Sequence, residues 1–288
     1  MEILMSVAEI KAWSRRNTLQ GKTIGLVPTM GYLHEGHLSL MRRAVAENDL
    51  CVGSIFVNPA QFGPNEDLDR YPRDPEGDAE KCRSVGTDAI FTPDTSEIYG
   101  PHFQTYVEVG DIAEPLCGTS RPGHFRGVAT VCLKLFNIVA PTRAYFGLKD
   151  YQQVQVVTTM ARDLDLDVEI VPCEIVRESG GLAMSSRNAY LSEDERSQAL
   201  SLYRALSEAR ALYAAGERNP DVLRSSMRDR ISQEPDAQID YISLVHPTTL
   251  EELTSIQDGA VAALAVKIGK TRLIDNMRLD RPTPAETD

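Results

Sequence analysis

The sequence predicts an α/β protein, a mostly parallel sheet layered with helices and followed by a smaller α+β domain. Three features predict it. Over roughly the first 175 residues, short apolar runs alternate with amphipathic helical patterns, as βαβ units do. Beyond residue 190 the texture changes to long Ala/Leu/Arg-rich helical stretches and two β-like runs. Between them, residues 177–190 are polar and Gly-rich, which reads as an interdomain segment and a hinge. The expected domains are residues 1–176 and 177–288.

In chain order, the candidate strands of the first domain are residues 23–27, 51–57, 89–92, 143–147 and 168–171. The amphipathic stretches 38–47, 75–84, 128–139 and 150–164 separate them. In the second domain, Ser192 and Glu195 form a capping-box pattern that opens a helix running to about Ala215. A second helix spans 220–231, and β-like runs follow at 240–245 and 260–266 with a short helix expected near Leu250. The tail RPTPAETD, residues 281–288, is expected to be disordered.

Composition narrows the function. The chain has 288 residues, 42% hydrophobic and 25% charged, an ordinary globular balance. No apolar run is long enough to span a bilayer, and the N-terminus lacks the basic-then-apolar order of a secretory signal, so a cytoplasmic protein is expected. The five cysteines are scattered and form no CxxC pair, which argues against a disulfide framework or a zinc site. A formal net charge of −12 argues against a nucleic-acid partner, yet a local cluster of donors still suits small anions.

Five segments carry chemistry. PTMGYLHEGH, residues 28–37, follows a strand and precedes a helix starting near Glu35. His34 and His37 are three apart, so on a helix they share one face at its N-terminal end, where unpaired N–H groups favour an anion. Gly31 and Gly36 let the backbone approach a bulky ligand. A surface or metal reading of the pair stays open, although no third His or Cys sits nearby at ligand spacing. GLAMSSRN, residues 181–188, offers Ser185, Ser186 and Arg187, two hydroxyls and a guanidinium suited to clamping phosphates; alone it is a turn and a solvated cap. YFGLKDYQQ, residues 145–153, sets Gly147, Lys149 and Asp150 at another strand end, where Lys149 suits phosphate charge and Asp150 ribose hydroxyls or a helix cap. In SIFVNPAQF, residues 54–62, Asn58 and Gln61 suit a polar hydroxylated acid, as does Gln153. RPGHFRGVATV, residues 121–131, is either a wall on the substrate side or a helix-entry loop. No GxSxG elbow, Walker motif or paired nucleophile suggests covalent catalysis.

With these segments in order, together with YPRDP, the chain resembles the pantoate–β-alanine ligase family, within the HxGH nucleotidyl transferases related to class I aminoacyl-tRNA synthetases. The matching stretches span roughly residues 24–190, and TRLIDN near residue 271 resembles the family's C-terminal strand. The resemblance implies a Rossmann-like ATP- and pantoate-binding domain and a C-terminal lid. It implies a cytoplasmic homodimer that condenses pantoate with β-alanine through pantoyl adenylate, releasing AMP and pyrophosphate with Mg²⁺ and no nucleic-acid or membrane partner. By the same resemblance Met30, Gly31, His34, Gly36 and His37 line the ATP site, with His37 as proton donor and His34 beside it. Gly147, Leu148, Lys149 and Asp150 hold ribose and phosphates, and Val176 and Met184 contact adenine. Ser185, Ser186 and Arg187 stand where the synthetases have a mobile KMSKS-type loop; with Lys149 and the histidines they complete the catalytic set. Gln61 and Gln153 hold pantoate, and Gln61 also lies near β-alanine. Protein ligands for Mg²⁺ are not identified: Asp78 is a candidate, and the phosphates themselves can hold the ion. Leu148 stands where the family has Glu, and Gly180 where Asp precedes GLA. The alternative is a related nucleotidyltransferase that keeps the nucleotide in its product.

Overall fold

The structure is a computed structural model that describes residues 1–280; the tail expected to be disordered lies outside the described residues. The chain forms two compact units. The first comprises Met1–Val176 with Met184–Ser186, and the second Arg177–Ala183 with the described residues from Arg187 onward.

The first unit is built on six parallel strands: β1 (Glu2–Leu4), β2 (Ile24–Thr29), β3 (Leu50–Ile55), β4 (Ala89–Phe91), β5 (Arg143–Gly147) and β6 (Glu169–Cys173). Their spatial order is β1-β4-β3-β2-β5-β6. The connecting helices include α1 (Val7–Thr18), α2 (Glu35–Glu47), α3 (Pro75–Ser84), α4 (His124–Val139) and α5 (Tyr151–Asp163). On one face Val27, Cys51, Ile90, Tyr145 and Val171 pack with Leu40, Met41 and Ala44 of α2 and Ala79 and Cys82 of α3. The alternate strand residues Leu26, Val52 and Ala144 are equally buried, so both faces are covered, as a parallel sheet requires. Helix α2 lies close because two strand positions carry no side chain. A Cβ on Gly25 would fall 2.6 Å from Asn48 Nδ2, and one on Gly53 3.0 Å from Met41 Cε.

Strand order places the site. From β2 the chain builds outward through β3 and β4, whereas β5 and β6 lie on its other side. The carboxyl ends of β2 and β5 therefore flank the switch point, where open α/β sheets bind ligands. PTMGYLHEGH overlaps the end of β2 and YFGLKD the end of β5. SIFVNPAQF overlaps the end of β3, and Val176 follows β6.

The second unit is α+β. Strands β7 (Ala237–Val245), β8 (Val261–Ile268) and β9 (Thr271–Arg278) form an antiparallel sheet in that order. It shares a core with α6 (Glu193–Ala214) and α7 (Pro220–Ile231) through Leu202, Leu206, Leu223, Met227, Leu244, Leu264 and Val266. The expected capping box forms: the Glu195 N–H donates to Ser192 Oγ at 3.2 Å, and Ser192 N–H donates to Glu195 Oε2 at 2.9 Å.

Three expectations change. The N-terminal residues form β1 and α1, the latter opened by a Ser6/Glu9 capping box, where the sequence reading assigned no element. No helix forms near Leu250. That residue has φ +60° and closes a turn by donating its N–H to His246 O, so left-handed backbone replaces a helical turn. The Gly-rich segment read as a hinge is itself folded. Within the second unit Arg177 pairs with Ala183 across a β-bridge, bonds the Asp275 carboxylate at 2.6 and 3.0 Å, and lies over the Tyr203 ring. Among the described residues no helix is long and apolar enough to cross a membrane.

Candidate active site

The loop after β2 begins with a tight reversal. Gly31 has φ +83° and Tyr32 φ +50°, two left-handed residues in succession, the second costly for a residue with a Cβ. Side chains from elsewhere in the unit satisfy the backbone that follows. The Tyr32 and Leu33 N–H groups donate to Asp78 Oδ2 and Oδ1 at 2.8 and 2.7 Å. Lys81 Nζ donates to Leu33 O at 2.9 Å, and Ser186 Oγ to Tyr32 O at 3.2 Å. Asp78 and Lys81 are three apart on α3 and so share one face. Asp78, a candidate metal ligand from sequence, is buried in the first turn of α3 with both oxygens holding the histidine loop. Burial raises its pKa above the ordinary carboxylate value, against the lowering effect of the two N–H donors.

The loop delivers His34 as the N-cap of α2, with extended backbone at φ −134°, so it precedes the helix on which sequence spacing placed it. His37 is the third helical residue, and its Nδ1 accepts from the His34 N–H at 3.3 Å. The two rings nevertheless lie together, centroids 4.0 Å apart. Gly36 makes room for them, since a Cβ there would sit 2.9 Å from the His34 ring. Because a backbone N–H only donates, His37 Nδ1 is the acceptor, and the proton of the neutral ring sits on Nε2. Burial, then the neighbouring charges of His34, Lys149 and Lys81, push the His37 pKa well below 6.5. The site thus holds a neutral imidazole with a fixed N–H donor.

At the end of β5, Gly147 has an ordinary φ of −75°, and a Cβ there would meet nothing within 4 Å. The fold itself does not demand glycine at this position. A short turn, Leu148–Asp150, leads into α5, with Lys149 Nζ 3.6 Å from the Asp150 carboxylate. The consecutive glutamines of α5 differ. Gln152 is buried and holds residues 112–117, accepting from Cys117 N–H and donating to Ile112 O and Pro115 O. Gln153 is half-buried.

The turn after β3 fixes an amide by elimination. Asn58 Oδ1 accepts from the Ala60 N–H at 3.2 Å and faces Tyr99 Oη at 2.7 Å. Asn58 Nδ2 must then donate, and it does so to Gly127 O and Gln61 Oε1 at 3.1 and 3.0 Å. Gln61 Oε1 being the acceptor, its NH₂ is directed the other way, 3.2 Å from Met30 Sδ. Asn58, expected to hold the acid, is bonded within the protein. It is buried, both ends of its amide are engaged inside the protein, and it orients Gln61. Helix α4 abuts this turn so closely that a Cβ on Gly127 would lie 2.2 Å from Ala60 O.

The remaining residues divide. Met184 N–H donates to Val176 O at 3.0 Å, and Met184 Cβ lies 3.6 Å from the Cβ position of Gly36, so Met184 adjoins the histidine loop. Ser185 and Ser186 belong to the first unit, and Arg187 to the second. Among the described residues no cluster of three or more His, Cys, Asp or Glu side chains is arranged to hold a metal ion.

The site gathers two histidines at a helix entrance, a Gly-Leu-Lys-Asp turn and an oriented glutamine. The model of the pantoate–β-alanine ligase family matches residues 2–278. The chain belongs to that family. It is an enzyme, and the ligation of pantoate to β-alanine follows from its membership. The pantothenate synthetase of Roseiflexus sp. (strain RS-1) is 56% identical over 280 residues, covering 97% of this chain and all of its own. That of Caldicellulosiruptor saccharolyticus is 55% identical over 277 residues, covering 96% and 99%. The crystal structure of the Thermus thermophilus pantothenate synthetase is 45% identical with a TM-score of 0.93, covering 97% of this chain and 99% of its own. The Francisella tularensis pantoate–β-alanine ligase, complexed with β,γ ATP and β-alanine, is 34% identical with a TM-score of 0.80, covering 98% and 99%.

Sequence reading of this family member missed Lys81, Tyr99, Glu66 and Arg121, whose side chains bond Leu33, Asn58, Arg121 and Gln61 respectively. Only Arg121 lay in a motif singled out from sequence. The loop and its histidines yield two tests. Asp78→Asn keeps one acceptor and turns an NH₂ toward a backbone N–H, so it is expected to cost about 1–3 kcal/mol of stability. Chemical denaturation measures it, and an unchanged midpoint would remove Asp78 from the loop. Separately, His37 and His124 are held neutral, the latter down to about pH 4, while the unfolded chain binds these protons near pH 6.5. The unfolded state is then the more protonated, so stability is full above about pH 6.5 and declines below it, by at most about 1.4 kcal/mol per pH unit for each histidine. Urea midpoints at pH 7.5 and 5.5 should differ in that sense.

Proposed function

We propose that ligation proceeds in two steps on this scaffold, with ATP as the activating substrate. The pantoate carboxylate attacks the α-phosphorus of ATP and pyrophosphate departs, leaving pantoyl adenylate. The β-alanine amine then attacks the activated carbonyl, and AMP leaves. Support for ATP comes from the nucleotide bound to the Francisella relative and from the donor set at the switch point.

The observation that carries the reading is the neutral His37 with its proton on Nε2 at the entrance of α2. A neutral donor binds the triphosphate without a charge that its buried position disfavours. As negative charge builds on the departing pyrophosphate, that charge raises the imidazole pKa and strengthens the bond where the transition state needs it. His34 lies against it, and the α2 N–H groups with Met30, Gly31 and Gly36 complete the phosphate face. Lys149, Ser185, Ser186 and Arg187 add donors to the phosphates. Gly147 leaves open space for the nucleotide, with Leu148 and Asp150 beside the ribose and the Val176 and Met184 backbone beside adenine. Gln61 and Gln153 hold pantoate, with the oriented Gln61 amide presenting N–H donors to the acid's oxygens.

Mg²⁺ enters as part of the Mg–ATP substrate. The phosphates carry the ion, while Asp78 is engaged by the histidine loop. Residues 177–288 act as a lid, because an acyl adenylate hydrolyses unless water is excluded. A cytoplasmic homodimer completes the reading, on the family resemblance.

His37→Ala is expected to slow single-turnover adenylation on the order of 100-fold while pantoate binding changes little; unchanged adenylation would remove His37 from the chemistry. The pathway is tested by incubating the enzyme with ATP, Mg²⁺ and pantoate. Free AMP should appear catalytically only when β-alanine is added. A nucleotide retained in the final product would mark a nucleotidyltransferase instead.

A further inference from the structure

We propose that Glu66, Arg121 and His124 form a positioning unit that fixes the Gln61 main chain and thereby sets the affinity for the hydroxy acid, independently of ATP. The inference rests on the reading that Gln61 holds pantoate. None of the three is a catalytic residue in it.

The hydrogen bonds converge on a single carbonyl. His124 Nδ1 lies 2.9 Å from Gln61 O, and Arg121 Nη2 donates to the same oxygen at 3.3 Å. The guanidinium edge that carries Nη2 is gripped by Glu66, with Nε and Nη2 both 2.7 Å from its carboxylate. Arg121 Nη1 stands 3.0 Å from His124 Nε2. Arginine has only donors, so Nε2 accepts; a carbonyl only accepts, so Nδ1 carries the proton. The imidazole is therefore neutral in one tautomer. Protonation would set an Nε2–H against an Arg121 N–H and add a second positive charge. Burial and then Arg121 hold its pKa down to about 4, outweighing the Gln61 carbonyl and the Glu66 and Asp150 carboxylates, which favour the cation.

The arrangement reaches Gln61 from every side. Its N–H donates to Asn58 O, its Oε1 accepts from Asn58 Nδ2, and its carbonyl takes the Arg121 and His124 donors. Glu66 closes the loop by donating its N–H to Gly63 O at 3.1 Å, so residues 61–66 are tied at both ends. A half-buried ion pair still costs desolvation and is a poor source of net stability. Its placement here holds the Gln61 main chain in position, which matters because a shift of about 1 Å in a binding group loses much of its effect.

The test compares steady-state KM values for pantoate and ATP in the full-length enzyme and its variants. His124→Ala is expected to raise the pantoate KM about tenfold while the ATP KM stays within about twofold. His124→Asn keeps an N–H near the δ position and should restore the pantoate KM; Glu66→Gln, which loosens Arg121, should raise it. In a Gln61→Ala background, His124→Ala should add little, because the group it positions is gone. That non-additivity separates positioning from general destabilisation, which would add in both backgrounds. An unchanged pantoate KM in His124→Ala, a parallel rise in both KM values, or full additivity with Gln61→Ala would overturn the proposal. If Gln61→Ala itself leaves the pantoate KM unchanged, the reading of Gln61 fails and takes the inference with it. If Gln61→Ala raises it and His124→Ala does not, the inference alone fails.

Discussion

The Asp78 carboxylate holds the backbone N–H groups of Tyr32 and Leu33, and the site depends on that pair of bonds. The loop there turns through two left-handed residues, one of them a tyrosine, a conformation that persists only when its surroundings over-determine it. One face of α3 supplies that constraint through Asp78 and Lys81, and Ser186 adds a fourth bond. The chain then enters α2 with His34 at the cap and His37 beneath it. Losing the carboxylate would leave two backbone donors unpaired, one of them buried, and free the segment that sets both rings.

Fixed hydrogen-bond polarity is the common device of the site. A backbone N–H that only donates makes His37 Nδ1 an acceptor and leaves the proton on Nε2. The Ala60 N–H fixes Asn58, and Asn58 fixes the Gln61 amide. Arg121 and the Gln61 carbonyl settle the His124 tautomer. In each case a group with one possible role decides the state of a neighbour that has two, so the donors and acceptors are set by the fold itself. Such preorganisation is what makes electrostatic stabilisation effective, because nothing has to reorient during the reaction.

Much of this was legible from particular residues. Strand and helix periodicity placed the parallel sheet, and the motifs fell at the ends of β2, β3 and β5. The Ser6/Glu9 capping pattern at the N-terminus was present in the sequence, yet with only a three-residue strand before it no βαβ rhythm drew attention to it. Near Leu250 the local preference for a helical turn lost to a left-handed closure before β8. Spacing put His34 and His37 on one helix face; the rings do meet, but through an N-cap whose extended backbone no periodicity describes.

The sequence by itself determined the α/β class, the two kinds of domain and the family, because periodicity and contiguous motifs are local properties of the chain. It also brought His34, His37, Gly147, Lys149, Gln61 and Gln153 to notice. Only the tertiary structure decided the division of labour among the polar residues. Asp78 lies 45 residues from the Leu33 N–H it accepts, Gly127 69 residues from Asn58, and Arg121 60 residues from the Gln61 carbonyl. Whether a side chain meets a ligand or holds another side chain depends on which of its lone pairs and protons the fold has already engaged. Contacts over such separations leave no periodic trace in the sequence.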